Sequence, residues 1–458
     1  MQTTLNCRFI RPIIPVQTQK ENWRKSDVMA GMLRDFVQLP AIEPATKNSR
    51  VRRAWEEHLT GGKLARYNSA SRNATSDSCT RKVNIMLKMG EVYVADDDHN
   101  VKSRIIGNVD PAFQYYFGPH IYEATRRLKE IWWHHPVSTK AGVVRVTYGA
   151  GRTAGELNDW LKSVLADPRG MYVIAAGDDV VAYDGRQQQF YCSDFSSFDQ
   201  SESEGPLDFE YAMLEKLGVP CETISALRKM HHAKYVYTNG KAKKENKCNH
   251  TVIIQHATRP MRVSGGPDTT VGNTIVAIAS WVHAFECGPS VECFKDLGLK
   301  IKLNPTAIDD LLFLRGRWVD VGEGRWWTPC LGKLAKMGKT CSSVITDGKM
   351  TIDEHMHVLA LTNQEYAWNP VWRAFVETWR GEYETSKAME ELEEKYRYRV
   401  MDTPMRQAPD REVLRGLARA YHMNIADMER LIEAIQLSRT TKLLAWKPMA
   451  RAYAMDYA

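Results

Sequence analysis

Residues 171–201 read MYVIAAGDDVVAYDGRQQQFYCSDFSSFDQS and carry two acidic signatures, Gly177-Asp178-Asp179 and Asp194…Asp199. Apolar residues 172–176 lead into the first and apolar residues 180–183 leave it, with glycine and aspartate at the reversal. That pattern predicts a β-hairpin. A second aromatic stretch, 190–192, runs into Asp194, so a strand ending in a turn is expected to carry Asp194 and Asp199. Carboxylates brought to the ends of adjacent strands repel one another and are costly to bury unless a cation lies between them. Oxygen-only ligands suit magnesium or manganese, and magnesium commonly binds substrate phosphates as well. The substrate expected on that reasoning is a nucleotide. Taken alone, GDD is also an ordinary aspartate-glycine turn; the rest of the chain decides between the two.

The chain has 458 residues, 43% hydrophobic and 26% charged, with a net charge of +7. Two or three subdomains with a substantial core fit that length. The basic balance suits a polyanionic partner. Nine cysteines, an odd number with no CxxC pair, read as reduced thiols. His134, His135, His231, His232, Cys248 and His250 match no standard zinc spacing. No stretch reaches the roughly twenty apolar residues of a membrane span. Arg8 and Arg11, with no acid before Glu21, leave a mitochondrial transit peptide as a weakly supported alternative at the N-terminus.

Prolines 12, 15, 40 and 44 suggest an extended arm over residues 1–50. Residues 51–82 hold Arg52, Arg53, Lys63, Arg66, Arg72, Arg81 and Lys82, which read either as a phosphate-contacting loop or as a solvated one. Strand-like stretches around Lys88, Lys102 and Arg104 follow, and the pattern turns helical over 121–133. Cations placed on strands in this way can hold a triphosphate. Gly149-Ala150-Gly151 followed by Ala154 matches GxGxxA, the dinucleotide-binding fingerprint. Against that reading, the sequence predicts a GDD hairpin next rather than a second parallel strand. Lys241, Lys243, Lys244 and Lys247 form a polar loop.

Ser264, Gly265, Thr269 and Asn273 fall as SGxxxTxxxN, a glycine-bearing loop opening an apolar helix. Thr269 and Asn273, four apart, share one helix face. Asn273 offers donors and acceptors for a ribose hydroxyl. Beyond residue 319 the pattern is mainly helical. Helices are expected after Pro409 and Asn424, with apolar stripes at Val413, Leu414, Leu417 and at Leu431, Ile432, Ile435.

Together these segments resemble viral RNA-dependent RNA polymerases of positive-strand type. SDFSSFDQS resembles their motif A, SGGPDTTVGNT motif B and AAGDDVVAY motif C, while LKMGE…VKSRIIG resembles motif F. FKDLGLKIKLNP and DLLFLRGRW resemble motifs D and E. The order is unusual: GDD precedes motif A, so the palm looks circularly permuted as C, A, B, similar to permutotetravirus and birnavirus polymerases. A rival motif C, Ile308-Asp309-Asp310, sits downstream of B, but isoleucine replaces its glycine and Pro305 interrupts the approach.

The resemblance implies an α+β right-hand fold of fingers, palm and thumb. Its expected parts are an arm (1–50), fingers with palm-entry segments (51–170), palm core (171–205), an insertion (206–260), the remaining palm (261–319) and a helical thumb (320–458). It implies transfer from nucleoside triphosphates to an RNA 3′ end with two Mg2+ or Mn2+ ions on Asp178, Asp179 and Asp194. Asp199, Ser264, Gly265, Thr269 and Asn273 would contact the nucleotide. Lys88, Lys102 and Arg104 would hold the triphosphate, Lys302 would be the general acid in preference to Lys300, and Arg315 and Arg317 would contact RNA. Implied partners are template and primer RNA and viral or host replication proteins, in host cytoplasm or a virion. The rivals are a reverse transcriptase-like enzyme, disfavoured by Asp199 with Asn273 and by the GDD turn, and an inactive RNA-binding scaffold.

Overall fold

The structure is a computed structural model that describes residues 13–80, 82–87, 105–238, 251–254, 260–337, 345, 348–396, 407–438 and 447–457. The chain divides into two compact units, Met1–Ala150 with Arg169–Asn304, and Gly151–Pro168 with Pro305–Ala458.

The first unit is built on a six-stranded sheet. In chain order its strands are β3 (His135–Thr139), β4 (Gly142–Tyr148), β5 (Met171–Ala176), β6 (Asp179–Asp184), β7 (Gln189–Phe195) and β10 (Ile301–Thr306), arranged β10-β7-β6-β5-β4-β3. The expected hairpin is β5–β6, paired antiparallel from Met171 with Asp184 to Ala176 with Asp179. Every residue of β5 is buried, as a central strand covered on both faces requires. The cover includes helix Thr269–Cys287, buried from Val271 to Phe285 except at His283, which packs across β5 and its neighbours. A helix apolar on nearly every side belongs in a core.

β4 and β5 run parallel, Val146 beside Val173. The strand after the GxGxxA stretch is therefore a parallel neighbour, contrary to the expectation from sequence: β5 is both that neighbour and the first arm of the hairpin.

A second sheet in this unit has the order β2-β1-β8-β9. Its strands are β1 (Lys82–Leu87), β2 (Ile105–Asn108), β8 (Lys234–Thr238) and β9 (Thr251–Ile254).

Residues 16–35 are not an extended arm. They form helices Val16–Lys25 and Asp27–Asp35, the latter capped by Ser26 Oγ accepting from Met29 N. Trp23 is buried, and its indole N–H donates to Leu297 O at 3.0 Å. Residues 50–71 are likewise helical, Arg50–His58 and Gly61–Ser71, where sequence composition predicts a loop.

The helix expected over 121–133 begins earlier, at Pro111, and passes through Pro119. Proline has no N–H to give to the carbonyl four residues back. That carbonyl, Tyr115 O, accepts instead from Arg52 Nη1 at 2.7 Å. Arg52 is only 2% exposed; it also donates to Ala45 O at 3.0 Å and lies over the Tyr115 ring at 4.1 Å. It is thus a brace for an interrupted helix and not a phosphate contact.

The second unit holds a three-stranded sheet of β11 (Leu312–Phe313), β12 (Gly316–Asp320) and β13 (Arg325–Pro329), with helices around it. Helix Ala154–Ala166 packs on β13, and Trp318 Nε1 donates to Leu157 O at 3.1 Å. Helices Asp410–Ala420 and Ile425–Ser438 bury Val413, Leu414, Leu417, Leu431 and Ile435 as their apolar stripes predict, while Ile432 of the expected stripe is only half-buried.

Replacing Arg52 by Met leaves two carbonyls unpaired, Tyr115 O and Ala45 O. Urea denaturation is expected to show a loss of about 1–3 kcal/mol, whereas Arg53→Met, on the exposed side of the same helix, changes stability little.

Candidate active site

The hairpin reverses at Gly177 and Asp178. Gly177 has φ +68°, a left-handed conformation that glycine adopts without a Cβ penalty. Its N–H donates to Thr274 Oγ1 at 2.8 Å, and Thr274 is fully buried in helix Thr269–Cys287. The turn is therefore pinned to the helix behind the sheet. β7 is tied to the same helix, Trp281 Nε1 donating to Ser193 Oγ at 3.1 Å.

β6 and β7 pair antiparallel with Val180 opposite Ser193. One step outward in that register, Asp179 falls opposite Asp194. Residues opposite one another on antiparallel strands project from the same face. Asp178, Asp179 and Asp194 are all exposed at this end of the sheet.

Their donors are carboxylate oxygens, the hard ligands that magnesium and manganese prefer. Among the described residues, no three His, Cys, Asp or Glu groups gather into a protein cage for a cation. Magnesium needs none, because it binds through one or two carboxylates and completes its shell with water and substrate phosphates. The donor set fits such an ion.

Beyond Asp194 the chain turns at Ser197, left-handed at φ 54°, into the one-turn helix Phe198–Ser201. A non-glycine residue in that region is strained and is held by its surroundings. Here Phe195 and Phe198, both buried, stack face to face at 4.2 Å on either side of the turn. Asp199 is left partly exposed. Its Oδ1 accepts from Asn273 Nδ2 at 2.9 Å and its Oδ2 from Ser264 Oγ. Three segments distant in sequence thus meet at one carboxylate. Asn273 Oδ1 has no partner among the described residues, so this amide retains an unused acceptor.

Gly265 and Thr269 shape the loop. A Cβ on Gly265 would come within 2.5 Å of Gly107 O, to which the Gly265 N–H donates at 2.9 Å. Its glycine serves close packing on β2. The Thr269 hydroxyl donates to Val263 O at 2.8 Å and Gly266 O at 3.0 Å, closing the loop on itself instead of reaching outward.

Behind Asp199, Ser264 and Asn273 lies a charge cluster that sequence reasoning missed. Arg262, with no side-chain exposure, donates from Nε to Glu202 Oε2 at 2.6 Å, from Nη1 to Asp268 Oδ2 at 2.8 Å and from Nη2 to Glu210 Oε2. His231 Nε2 lies 3.1 Å from Asp268 Oδ2, and its Nδ1 meets the Tyr211 hydroxyl. One guanidinium faces three carboxylates. Burial, opposed by Arg262, pushes the Glu202 carboxyl up to about 8 and that of Glu210 to about 7. Desolvation holds His231 below its ordinary value against the pull of Asp268. The only sequence traces of this cluster are charges set among apolar neighbours; Asp268, just before the apolar helix, reads as a routine cap.

Other expected site residues are placed differently. Lys302 is exposed on β10, the edge strand beside β7, where Ser196 N donates to Lys300 O at 2.8 Å. Arg315 is exposed in the β11–β12 turn. Arg317 is a correction to the RNA-contact expectation: it is 4% exposed, its Nε donates to Asp456 Oδ1 at 3.1 Å and it lies over the Tyr421 ring. Lys88, Lys102, Arg104, Lys241, Lys243, Lys244, Lys247, Cys248 and His250 lie outside the described residues.

The rival acidic turn, Ile308–Asp310, is a short 3-10 helix with Asp309 paired to Arg325 at 2.7 Å and Asp310 to His422 at 3.0 Å. At the GxGxxA stretch, Thr153 and Glu156 form a capping box, Thr153 Oγ1 accepting from Glu156 N and the Glu156 carboxylate from Thr153 N. That carboxylate occupies the helix end where a dinucleotide's pyrophosphate would have to bind.

Residues 153–294 match a family model described as RNA dependent RNA polymerase, a span containing Asp178, Asp179, Asp194, Asp199, Ser264 and Asn273. No curated protein matches the chain. This match over part of the chain supports a viral RNA-dependent RNA polymerase and indicates an enzyme of the nucleotidyltransferase class.

Thr274→Val keeps the side-chain shape but removes the acceptor for the Gly177 N–H, and denaturant unfolding is expected to register a loss of about 1–3 kcal/mol. The Glu210 carboxyl holds its proton in the folded state to about 7, whereas an ordinary glutamate loses it near 4.5. Between those values the folded chain binds more protons than the unfolded one, so the stability this group contributes falls as pH rises. Glu210→Gln cannot ionise, and melting temperatures followed across that window should fall less steeply than in the unmutated protein. An equal slope for both would contradict the shift.

Proposed function

We propose that the chain copies RNA on an RNA template by two-metal nucleotidyl transfer, in a permuted palm with motif order C, A, B, and so replicates and transcribes a viral RNA genome. The observation that carries this reading is Asp199, hydrogen-bonded by Ser264 and Asn273 and a few residues beyond the exposed Asp194, whose strand β7 pairs with β6 and its exposed Asp179. The permuted order draws its support from β6 and β7 lying side by side, since catalysis requires spatial adjacency and not chain order.

Asp178 and Asp194, assisted by Asp179, hold the ions in this proposal. When bound, such ions acidify the attacking 3′-hydroxyl and stabilise charge on the leaving oxygens. Asp199, with Ser264 and Asn273 fixing its orientation, accepts the hydrogen of the ribose 2′-hydroxyl. A deoxynucleotide leaves these groups without that partner, which is the basis of selection for ribose. Lys88, Lys102 and Arg104 grip the triphosphate, Lys302 gives a proton to the departing pyrophosphate, and Arg315 contacts RNA. The units correspond to fingers with palm and to thumb in a right-hand polymerase, whose partners are template and primer RNA and further replication proteins.

The test is labelled-nucleotide incorporation on a short RNA primer-template with magnesium or manganese. Asp178→Ala and Asp194→Ala are expected to lower turnover by about a hundredfold or more. Asp309→Ala, which breaks only an ion pair with Arg325, should leave turnover near that of the unmutated protein. Loss of extension in Asp309→Ala alone would move motif C to that turn. RNA binding without extension on any template would favour the scaffold reading. Asp199→Ala is expected to narrow the preference for ATP over dATP by about tenfold or more, read as the ratio of kcat/KM values.

A further inference from the structure

We infer that Arg262 is the positioning residue for ribose selection, the common fastener of the three segments that meet at Asp199. This rests on the reading of Asp199, Ser264 and Asn273 as the ribose-selecting triad. Asp199 belongs to a one-turn helix closed by Glu202, and the Arg262 guanidinium donates to Glu202 Oε2 at 2.6 Å. Ser264 is two residues from Arg262, whose own N–H donates to Asp199 O at 3.2 Å. Asn273 is on the helix preceded directly by Asp268, and the guanidinium donates to Asp268 Oδ2 at 2.8 Å. Each member of the triad is therefore one short, stiff link from the same buried cation. The third side of the guanidinium is taken by Glu210 of helix Glu204–Lys216.

The fork of arginine matches this task because its donors point in fixed directions in one plane, which the single ammonium of lysine cannot reproduce. Space is made for it by Gly272, where a Cβ would collide with Arg262 Nη1 and the Glu210 carboxyl. Burial keeps water from competing for these bonds, so the positions of Glu202 and Asp268 follow the guanidinium. Selection for a hydroxyl depends on donors and acceptors held within a fraction of an ångström, and a small displacement of the triad weakens the ribose contact without removing any atom that makes it.

Arg262→Lys tests this, since it preserves the buried positive charge and loses the fork. Single-nucleotide incorporation from ATP and from dATP gives kcat and KM for each, and equilibrium binding of fluorescent ATP and 2′-deoxy-ATP to the protein on an RNA primer-template gives affinities without chemistry. The expected result is a drop of about tenfold or more in the ATP:dATP ratio of kcat/KM, with the same direction in the binding ratio. A role confined to holding the fold lowers ATP and dATP use in proportion and leaves both ratios unchanged, which would overturn the proposal. Glu202→Gln retains the shape of one link but replaces the carboxyl group that accepts from the guanidinium by an amide; it is expected to shift the ratios in the same direction by less, and it carries the test if the lysine variant does not fold. The binding arm separates the two readings: ATP preferred in binding but lost in Arg262→Lys upholds the positioning role even if no extension occurs. Equal binding of ATP and deoxy-ATP by the unmutated protein, with extension intact, overturns it.

Discussion

A guanidinium shut away from water must be matched where it lies, because an unpaired buried charge is among the most destabilising features a core can contain. Arg262 meets that requirement with three carboxylates drawn from three parts of the chain. Those carboxylates exceed its charge, and burial raises the proton affinity of Glu202 and Glu210, which eases the excess. The loop before helix Thr269–Cys287, the turn after β7 and helix Glu204–Lys216 are consequently bound to one another at a point close behind Asp199. A hydrophobic contact could hold these elements together but would not set their directions; a planar fork sets both.

The same helix supplies the second constraint. Thr274 receives the N–H of Gly177, Trp281 donates to Ser193, and Asn273 donates to Asp199. One apolar rod, buried over most of its length, thereby sets the hairpin turn, the neighbouring strand and the turn beyond it. Helix rise and periodicity relate Asn273 and Thr274 to Trp281 rigidly. The exposed aspartates stand on this frame while remaining open to solvent.

Much of this arrangement was legible in the sequence. Strict local patterns mark it: an apolar run reversing at Gly177-Asp178, aromatic residues around Asp194 and Asp199, and a helix opened by SGxxxTxxxN. The segments misread were those whose local signal is opposed by a distant partner. Pro119 reads as a helix boundary until Arg52 supplies the donor that proline lacks. Arg52 and Arg317 read as surface cations, yet each is buried against carbonyl or carboxylate acceptors far away in sequence. Residues 16–35 read as an arm because the prolines on either side of them are visible and the burial of Trp23 is not.

By itself, then, the sequence determined the hairpin, the apolar helix and the identity of the acidic and amide groups, because each depends on residues within a few positions of one another. Only the tertiary structure decided that Ser264 and Asn273 share the carboxylate of Asp199, that Asp309 is engaged with Arg325 while Asp178, Asp179 and Asp194 stay exposed, and that Arg262 is buried among acids. Those outcomes depend on which side chains the packing of the whole chain brings together and which it shuts away from water. The energy of such pairs is set by distance and burial, and neither quantity is written in the order of residues along the chain.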